Sequence, residues 1–184
     1  SIDVMAQNLN IADVTLKVGE NMTNDDKIER YCYDDDTTNC DRYGGLYQWA
    51  EALQLPSRCN TESCASLIQP NHQGICPDGW RMMNANDFRI ALTSTDDFAN
   101  GLRSGYYFSG SNKSGLSLTG SGRYFHQKGY EDLDEAFYMY YPVEYVFGDV
   151  IRGSMQYVTR YENNVGPGGL EKYCALSVRC VKLK

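Results

Sequence analysis

The most informative segments of the chain are three short cysteine-bearing stretches: CYDDDTTNC at residues 32–40, CPDGWR at residues 76–81 and SVRCV at residues 177–181. Cysteines that lie in loops beside turn-forming residues are typical of disulfides rather than of metal sites. The chain has seven cysteines in 184 residues, and none of them form a Cys-x-x-Cys pair. These features predict one secreted or surface-displayed domain, residues 1–184, held by disulfides.

The composition argues against two classes of partner. The net charge is −7 and the Lys and Arg residues are not clustered, whereas contacts to nucleic-acid phosphates need clustered cations. No apolar run approaches the roughly 18 to 20 residues that span a bilayer. We therefore expect neither a nucleic-acid partner nor a membrane span.

Hydrophobic periodicity in the first half predicts a strand, a loop and one helix. Apolar and polar residues alternate over residues 14–18, which is the pattern of a half-buried strand, and the polar residues 19–30 are typical of an exposed loop. Apolar residues then recur at helical spacing, which predicts a short helix from about Tyr47 to just before Pro56. Residues 57–74 are predicted to form a loop.

The second half predicts another helix and then a β region. Asn84 can cap a helix that ends by Thr95, with Asp87 favourably placed at its first turn. From Gly101 onward, short segments rich in Tyr, Gly and Ser predict an irregular antiparallel sheet, and residues 176–181 alternate as a closing strand. Helices followed by strands predict an α+β fold.

The three cysteine stretches resemble the Fibrobacter succinogenes major paralogous domain family, which shows a C-Y-x5-N-C loop, a C-P-x-G-W-[HR]-[LI]-P segment and a terminal S-V-R-C-V strand. The resemblance extends to residues 5–10 (MAQNLN) and 43–49 (YGGLYQW), with Met82-Met83 in place of the family's Leu-Pro. It implies a C-type-lectin-like fold, distantly similar to formylglycine-generating-enzyme-like domains. In that fold the first and last strands pair, and a long loop-rich region carries the ligand surface.

The resemblance also narrows the disulfide pairing, which spacing alone leaves open. It implies that Cys32 pairs with Cys40 and that Cys76 pairs with Cys180, because these residues occupy the family's four cysteine positions. Cys59 and Cys64 are then natural local partners. Cys174 is left as a free thiol, and its parity with Leu176 and Val178 predicts that it is buried and inert.

Neither a metal site nor an active site is predicted. Asp34, Asp35 and Asp36 could offer oxygen ligands to calcium, but their spacing is not that of an EF-hand, and we expect an exposed acidic turn. A second acidic group is interpreted in the same way: Glu131, Asp132, Asp134 and Glu135. His72 and His126 stand apart from any cysteine pair, and no nucleophile motif is present. We expect no cofactor and no catalysis.

Aromatic residues provide the candidate ligand surface. Most of the fifteen tyrosines lie between Tyr106 and Tyr161 among Gly, Ser and Asn, a mixture typical of adaptable recognition surfaces. The ligand-binding candidates are four residues: Tyr138, Tyr140, Tyr124 and Arg123.

The sequence thus predicts a non-catalytic extracellular module for binding or adhesion. The family's name suggests polysaccharide as the ligand, and a surface protein is the other candidate partner. The alternative is a structural or passenger domain of a bacterial surface assembly, with its tyrosines buried against neighbouring subunits.

Overall fold

A computed structural model describes residues 1–163 and 165–183. It contains four α-helices and ten strands in this order: β1 (Ile2–Val4), β2 (Val14–Leu16), β3 (Glu29–Tyr31), α1 (Thr37–Tyr43), α2 (Trp49–Ala52), β4 (Arg81–Met82), α3 (Ala85–Thr93), α4 (Phe98–Leu102), β5 (Ser121–Phe125), β6 (Gly129–Leu133), β7 (Ala136–Phe147), β8 (Val150–Thr159), β9 (Val165–Leu170) and β10 (Cys180–Leu183).

The strands form three sheets. The terminal strands pair in an antiparallel sheet of order β1-β10-β4, and β2 pairs with β3 in parallel. The largest sheet has the order β6-β5-β7-β8-β9 and is antiparallel except where β5 meets β7. The predicted α+β class and the pairing of the first and last strands are confirmed.

The C-terminal segment, residues 174–181, runs through the interior and is buried throughout. Its backbone pairs with a different part of the chain at nearly every residue. Leu176 pairs with Tyr47, Ala175 with Tyr124 and Ser177 with Met139, and the carbonyl of Val178 accepts from Leu9. The side chains of residues 176–181 that alternate between the two faces of the segment are therefore all buried. The regular strand begins only at Cys180.

The two predicted helices are present. Trp49 of α2 is fully buried, and α2 ends at Ala52, four residues before Pro56. Asn84 and Asp87 form a capping box at the start of α3, with each side chain accepting from the other residue's backbone N–H at 2.9 Å. The buried Phe88 faces the core from α3, as its position in the apolar stripe predicts.

Some expectations for the loops and strands were wrong. Within residues 19–30, Met22 is buried and Glu29 begins β3, so this stretch is only partly an exposed loop. The cysteine loop contains α1, which Asp36 caps by accepting from the N–H of Thr38. The β region contains a long hairpin of β7 and β8, with 12 and 10 residues, instead of short segments alone. The pairing between β7 and β8 runs over nearly their whole length, which makes both strands long.

The disulfides match the predicted pairing. Bonds join Cys32 to Cys40, Cys59 to Cys64 and Cys76 to Cys180, with Cα–Cα distances of 5.0, 5.5 and 5.9 Å. Cys174 is a free, buried thiol, and burial raises its pKa to about 11. The bond from Cys76 to Cys180 spans 104 positions and ties the segment before β4 to β10.

Replacing Cys76 or Cys180 by Ser should destabilise the domain more than replacing Cys59 or Cys64. The long loop restricts the unfolded chain most, by about 4 to 5 kcal/mol against about 2 to 3 for the short loops. Thermal unfolding of the Ser variants checks the order, and a larger loss in Cys59→Ser than in Cys76→Ser would contradict it. A thiol assay of the wild type should detect one free group, and only after unfolding.

A buried carboxyl pair links α2 to β3. An oxygen of Glu51 accepts the backbone N–H of Glu29, and both side chains are buried. Burial raises the pKa of Glu51 from its ordinary 4.5 to about 7, and it also raises the pKa of Glu29. The folded domain therefore holds a proton here that the unfolded chain has already lost between pH 4.5 and 7.

The stability of the domain should consequently fall as pH rises through that window. The free energy of unfolding at about pH 5 should exceed that at about pH 8 by about 1 to 3 kcal/mol from Glu51. Glu51→Gln keeps the acceptor and removes the charge, so its stability should change less with pH. Denaturant unfolding at several pH values measures this, with the exposed Glu62→Gln as control. Equal pH slopes in wild type and Glu51→Gln would refute the assignment.

Candidate ligand-binding groove

Two of the four predicted ligand residues are buried, which corrects the expectation that they are exposed. The ring of Tyr124 stacks on Tyr31 with centroids 4.3 Å apart, and its hydroxyl accepts the N–H of Gly19. The hydroxyl of Tyr140 lies 2.8 Å from the carbonyl oxygens of Glu171 and Cys174. Side chains on both faces of β7 are buried here, at Phe137, Met139 and Tyr140. The alternation of side chains along the strand therefore does not separate core residues from surface residues.

Tyr138 and Arg123 are half-buried and lie against each other. The guanidinium of Arg123 is 4.5 Å from the ring centroid of Tyr138, and its Nε donates to Glu131 at 2.8 Å. The hydroxyl of Tyr138 donates to Asp132 at 2.6 Å. Burial raises the pKa of Tyr138, and the bond to Asp132 raises it further. These contacts fix the orientation of both side chains.

Beside Tyr138 lies a cavity of about 280 Å³, which we call the groove. It is lined by eight residues: Asp132, Glu135, Ala136, Tyr138, Thr159, Arg160, Tyr161 and Glu162. Tyr161 is 72% exposed, and the guanidinium of Arg160 lies 5.0 Å from its ring. The groove therefore combines an exposed aromatic face with acceptors and a donor.

The turn between β6 and β7 forms one side of the groove. Asp132 and Asp134 both adopt left-handed backbone conformations, with φ of 70° and 60°, which Asp tolerates better than most residues. The N–H of Asp134 donates to Gly120 at 2.7 Å, and a Cβ at Gly120 would lie 2.5 Å from the Cα of Asp134. Only glycine at position 120 therefore allows the turn at Asp134 to approach the backbone this closely.

The end of β8 forms the other side. The N–H of Arg160 donates to the carbonyl of Glu135 at 2.9 Å, and the two side chains form an ion pair at 3.7 Å. The Nε of Arg160 also donates to Ser109 at 3.2 Å. Because Ala136 pairs with Thr159 in the hairpin register, the turn and the β8 end are held at a fixed separation.

The groove offers several kinds of contact to a polar ligand. Its carboxylates accept hydrogen bonds from hydroxyl groups, Arg160 donates them, and the Tyr161 ring offers an apolar face. Acidic side chains outnumber basic ones among its lining residues. A neutral ligand rich in hydroxyl groups therefore fits this surface better than an anionic one.

Asp35 and Asp134, one from each predicted acidic group, have partners within the protein. Asp35 accepts from the hydroxyl of Tyr130 at 2.6 Å, and Asp134 accepts from Tyr43 at 2.7 Å. His72 is a buried residue whose Nε2 donates to the carbonyl of Leu53. Among residues 1–163 and 165–183, no group of three or more His, Cys, Asp or Glu could hold a metal ion.

Tyr161, Arg160 and Glu162 were not among the predicted ligand residues. The sequence marks Glu135 only as a member of an acidic group. The sequence feature that points to this site is the acidic, turn-forming stretch that precedes β7, because turns between strands lie at the surface and often carry binding residues. That Tyr161 lies opposite this turn depends on the register of β7 and β8.

The fold and the groove together define a disulfide-held α+β domain with a polar, aromatic surface groove. The chain matches the family model described as the Fibrobacter succinogenes major domain over residues 4–182, and it belongs to that family. Searches of curated proteins and of solved structures found no match. In the described part of the chain, no helix is long and apolar enough to cross a membrane.

Tyr140→Phe should destabilise the domain although the ring is retained. Removing the hydroxyl leaves the buried carbonyl oxygen of Cys174 without this donor, at a cost of about 1 to 3 kcal/mol. Tyr138→Phe is the matched control, because its acceptor Asp132 is 37% exposed and can bind water instead. Chemical denaturation of the two variants measures the difference. A Tyr138→Phe loss equal to that of Tyr140→Phe would show that burial does not separate them.

Proposed function

We propose that the protein is an extracellular, non-catalytic binding module that holds a neutral polysaccharide chain in the groove. The observation that carries this proposal is the 72% exposed ring of Tyr161, set between Arg160 and the carboxylates of the β6–β7 turn. An aromatic ring supplies contact area at low entropic cost, and the flanking polar groups supply directional hydrogen bonds. Sugar rings present both an apolar face and hydroxyl groups to such a surface.

The rigidity of the groove supports this function. Tyr138 is held by Asp132 and covered by Arg123, and Arg160 is held by Glu135 and Ser109. Binding therefore orders few side chains, and less conformational entropy is lost. The absence of catalysis is proposed on chemical grounds, since the free thiol of Cys174 is buried and its pKa is raised to about 11.

The location and the finer fold are part of the same proposal. Disulfides persist in oxidising compartments, which favours a secreted or cell-surface protein. The pairing of the first and last strands favours a C-type-lectin-like arrangement. In this arrangement the groove belongs to the region that the family resemblance associates with ligands.

Tyr161→Ala should weaken binding to neutral polysaccharide by at least tenfold without changing the melting temperature. A tenfold loss corresponds to about 1.4 kcal/mol, which lies in the range of a residue at the centre of a binding site. Affinity electrophoresis in gels with soluble neutral glucans and xylans measures the loss. Phe98→Ala is the matched control, because that aromatic ring is also exposed and does not line the groove.

A polygalacturonate gel provides the comparison with an acidic polymer. Retardation by the neutral polymers and not by polygalacturonate agrees with the excess of carboxylates in the groove. If Tyr161→Ala and Glu135→Gln both bind as the wild type does, the groove is not the ligand site. A surface protein is then the better candidate partner.

A structural role in a surface assembly is the second candidate function. It is favoured by one specific observation, the exposed apolar side chains at the end of the β7–β8 hairpin. This surface lies away from the groove, so the two functions are compatible.

A further inference from the structure

The end of the β7–β8 hairpin is an apolar arm, which we define as residues 143–152. Its two strands are joined by a two-residue turn, Gly148-Asp149, with Gly148 in the left-handed region at φ 60°. Six large apolar side chains of the arm are exposed, and Phe147, at 74%, is the most exposed: Val143, Tyr145, Val146, Phe147, Val150 and Ile151.

The exposed side chains lie on both faces of the arm. Phe147 and Val150 are directly opposite in the register and share one face, while Val146 and Ile151 share the other. If the hairpin packed against its own domain, at least one of its two faces would have no exposed apolar residues. Both faces of the tip of the arm, residues 146–151, therefore lack a partner within the described part of this chain.

The base of the arm is firmly anchored. Glu144 forms a buried ion pair with Lys172 at 3.0 Å and accepts the N–H of Cys64. On the other face, the ring of Tyr145 lies where a Cβ at Gly169 would sit. The arm therefore projects from a fixed base.

The edges of the arm differ from the outer edges of the same sheet. Proteins protect exposed edge strands with charges, Pro and Gly. The outer strand β9 has the sequence VGPGGL, and the other outer strand, β6, carries Glu131 and Asp132. The stretch from Val143 to Phe147 has no Pro or Gly, and its one charge, Glu144, is turned toward Lys172.

The free edge of β7 can also form hydrogen bonds. In the described chain, no backbone hydrogen bond joins residues 143–151 to anything outside the hairpin. The free stretch of β7 is longer than that of β8, where pairing with β9 already begins at Gly153. An incoming strand would therefore add to β7.

We propose that the arm is a self-association site, at which the β7 edge pairs antiparallel with the β7 edge of a second copy of this chain. Two-fold symmetry makes such an edge self-complementary, since each copy offers the same donors, acceptors and apolar faces. The side chains brought together across the axis are Val, Tyr and Phe, which pair well between strands.

Charge favours a second copy over a charged partner. Apart from the buried Glu144, the charged residues of the arm are the exposed Asp149 and the half-buried Arg152, which have opposite signs, so the arm presents little net charge. The whole chain carries −7, so two copies repel weakly through their bodies. Added salt screens this repulsion and strengthens the association, whereas it would weaken the binding of a basic partner.

The area is that of a weak dimer. Phe147 and Tyr145 are 74% and 42% exposed, and at roughly 200 Å² per aromatic residue they contribute about 200 Å² per copy. The four β-branched side chains of the arm are 37% to 63% exposed and add about as much area again. On two arms together the exposed apolar side chains amount to about 800 to 1,000 Å², and edge pairing covers only part of this area, so the interface lies in the range of weak, transient ones.

Sedimentation equilibrium of the intact chain tests the proposal. The average mass should rise from one chain toward two as the concentration increases from about 1 to about 500 µM, in the affinity range of weak interfaces. Adding salt should lower the dissociation constant. Phe147→Lys and Val146→Lys should each leave a monomer with an unchanged melting temperature.

Tyr161→Lys is the control, because Tyr161 is as exposed as Phe147 but belongs to the groove. It should dimerise as the wild type does, so a failure of polysaccharide binding and a failure of dimerisation are distinguishable. A wild type that stays monomeric at the highest concentration overturns the proposal. So does a dimer that persists in Phe147→Lys, or association that continues beyond two copies.

Discussion

The buried backbone of the C-terminal segment is the constraint on which the rest of the structure depends. An interior strand must satisfy its N–H and C=O groups with protein partners, since no water is available to replace them. Residues 174–181 meet this requirement with separate parts of the chain: the N-terminal segment, the approach to α2, β4, β5 and β7. Each part is thereby fixed in position relative to the others, although they are far apart in sequence.

Arg179 shows how strict this arrangement is. Its side chain is 1% exposed, and burial lowers its pKa to about 9, so it is still charged at neutral pH. Its guanidinium donates to the side chain of Asn8 and to the carbonyls of Met5 and Leu116. A buried charge is tolerated only when its donors are satisfied. The N-terminal segment and the loop before β5 therefore have to close over this residue together.

The same constraint separates the two surfaces to which we assign functions. In the first part of β7, the side chains of Phe137, Met139 and Tyr140 are buried, and the strand pairs with the C-terminal segment. Tyr138, in the same part of the strand, lies at the groove. Beyond the register shift between Tyr140 and Glu144 the core ends, and the hairpin continues as the arm. One strand pair thus supports a rigid polar groove at its start and an unprotected apolar edge at its end.

The sequence by itself determined the features that depend on local chemistry. The capping box at Asn84, the end of α2 before Pro56 and the short disulfide from Cys59 to Cys64 need only neighbours along the chain. The family resemblance added the long disulfide and the pairing of the terminal strands. Only the tertiary structure decided which tyrosines are exposed, because a strand covered on both faces gives no periodic signal. It buried Tyr124 and Tyr140, and the hairpin register brought Tyr161 beside Glu135.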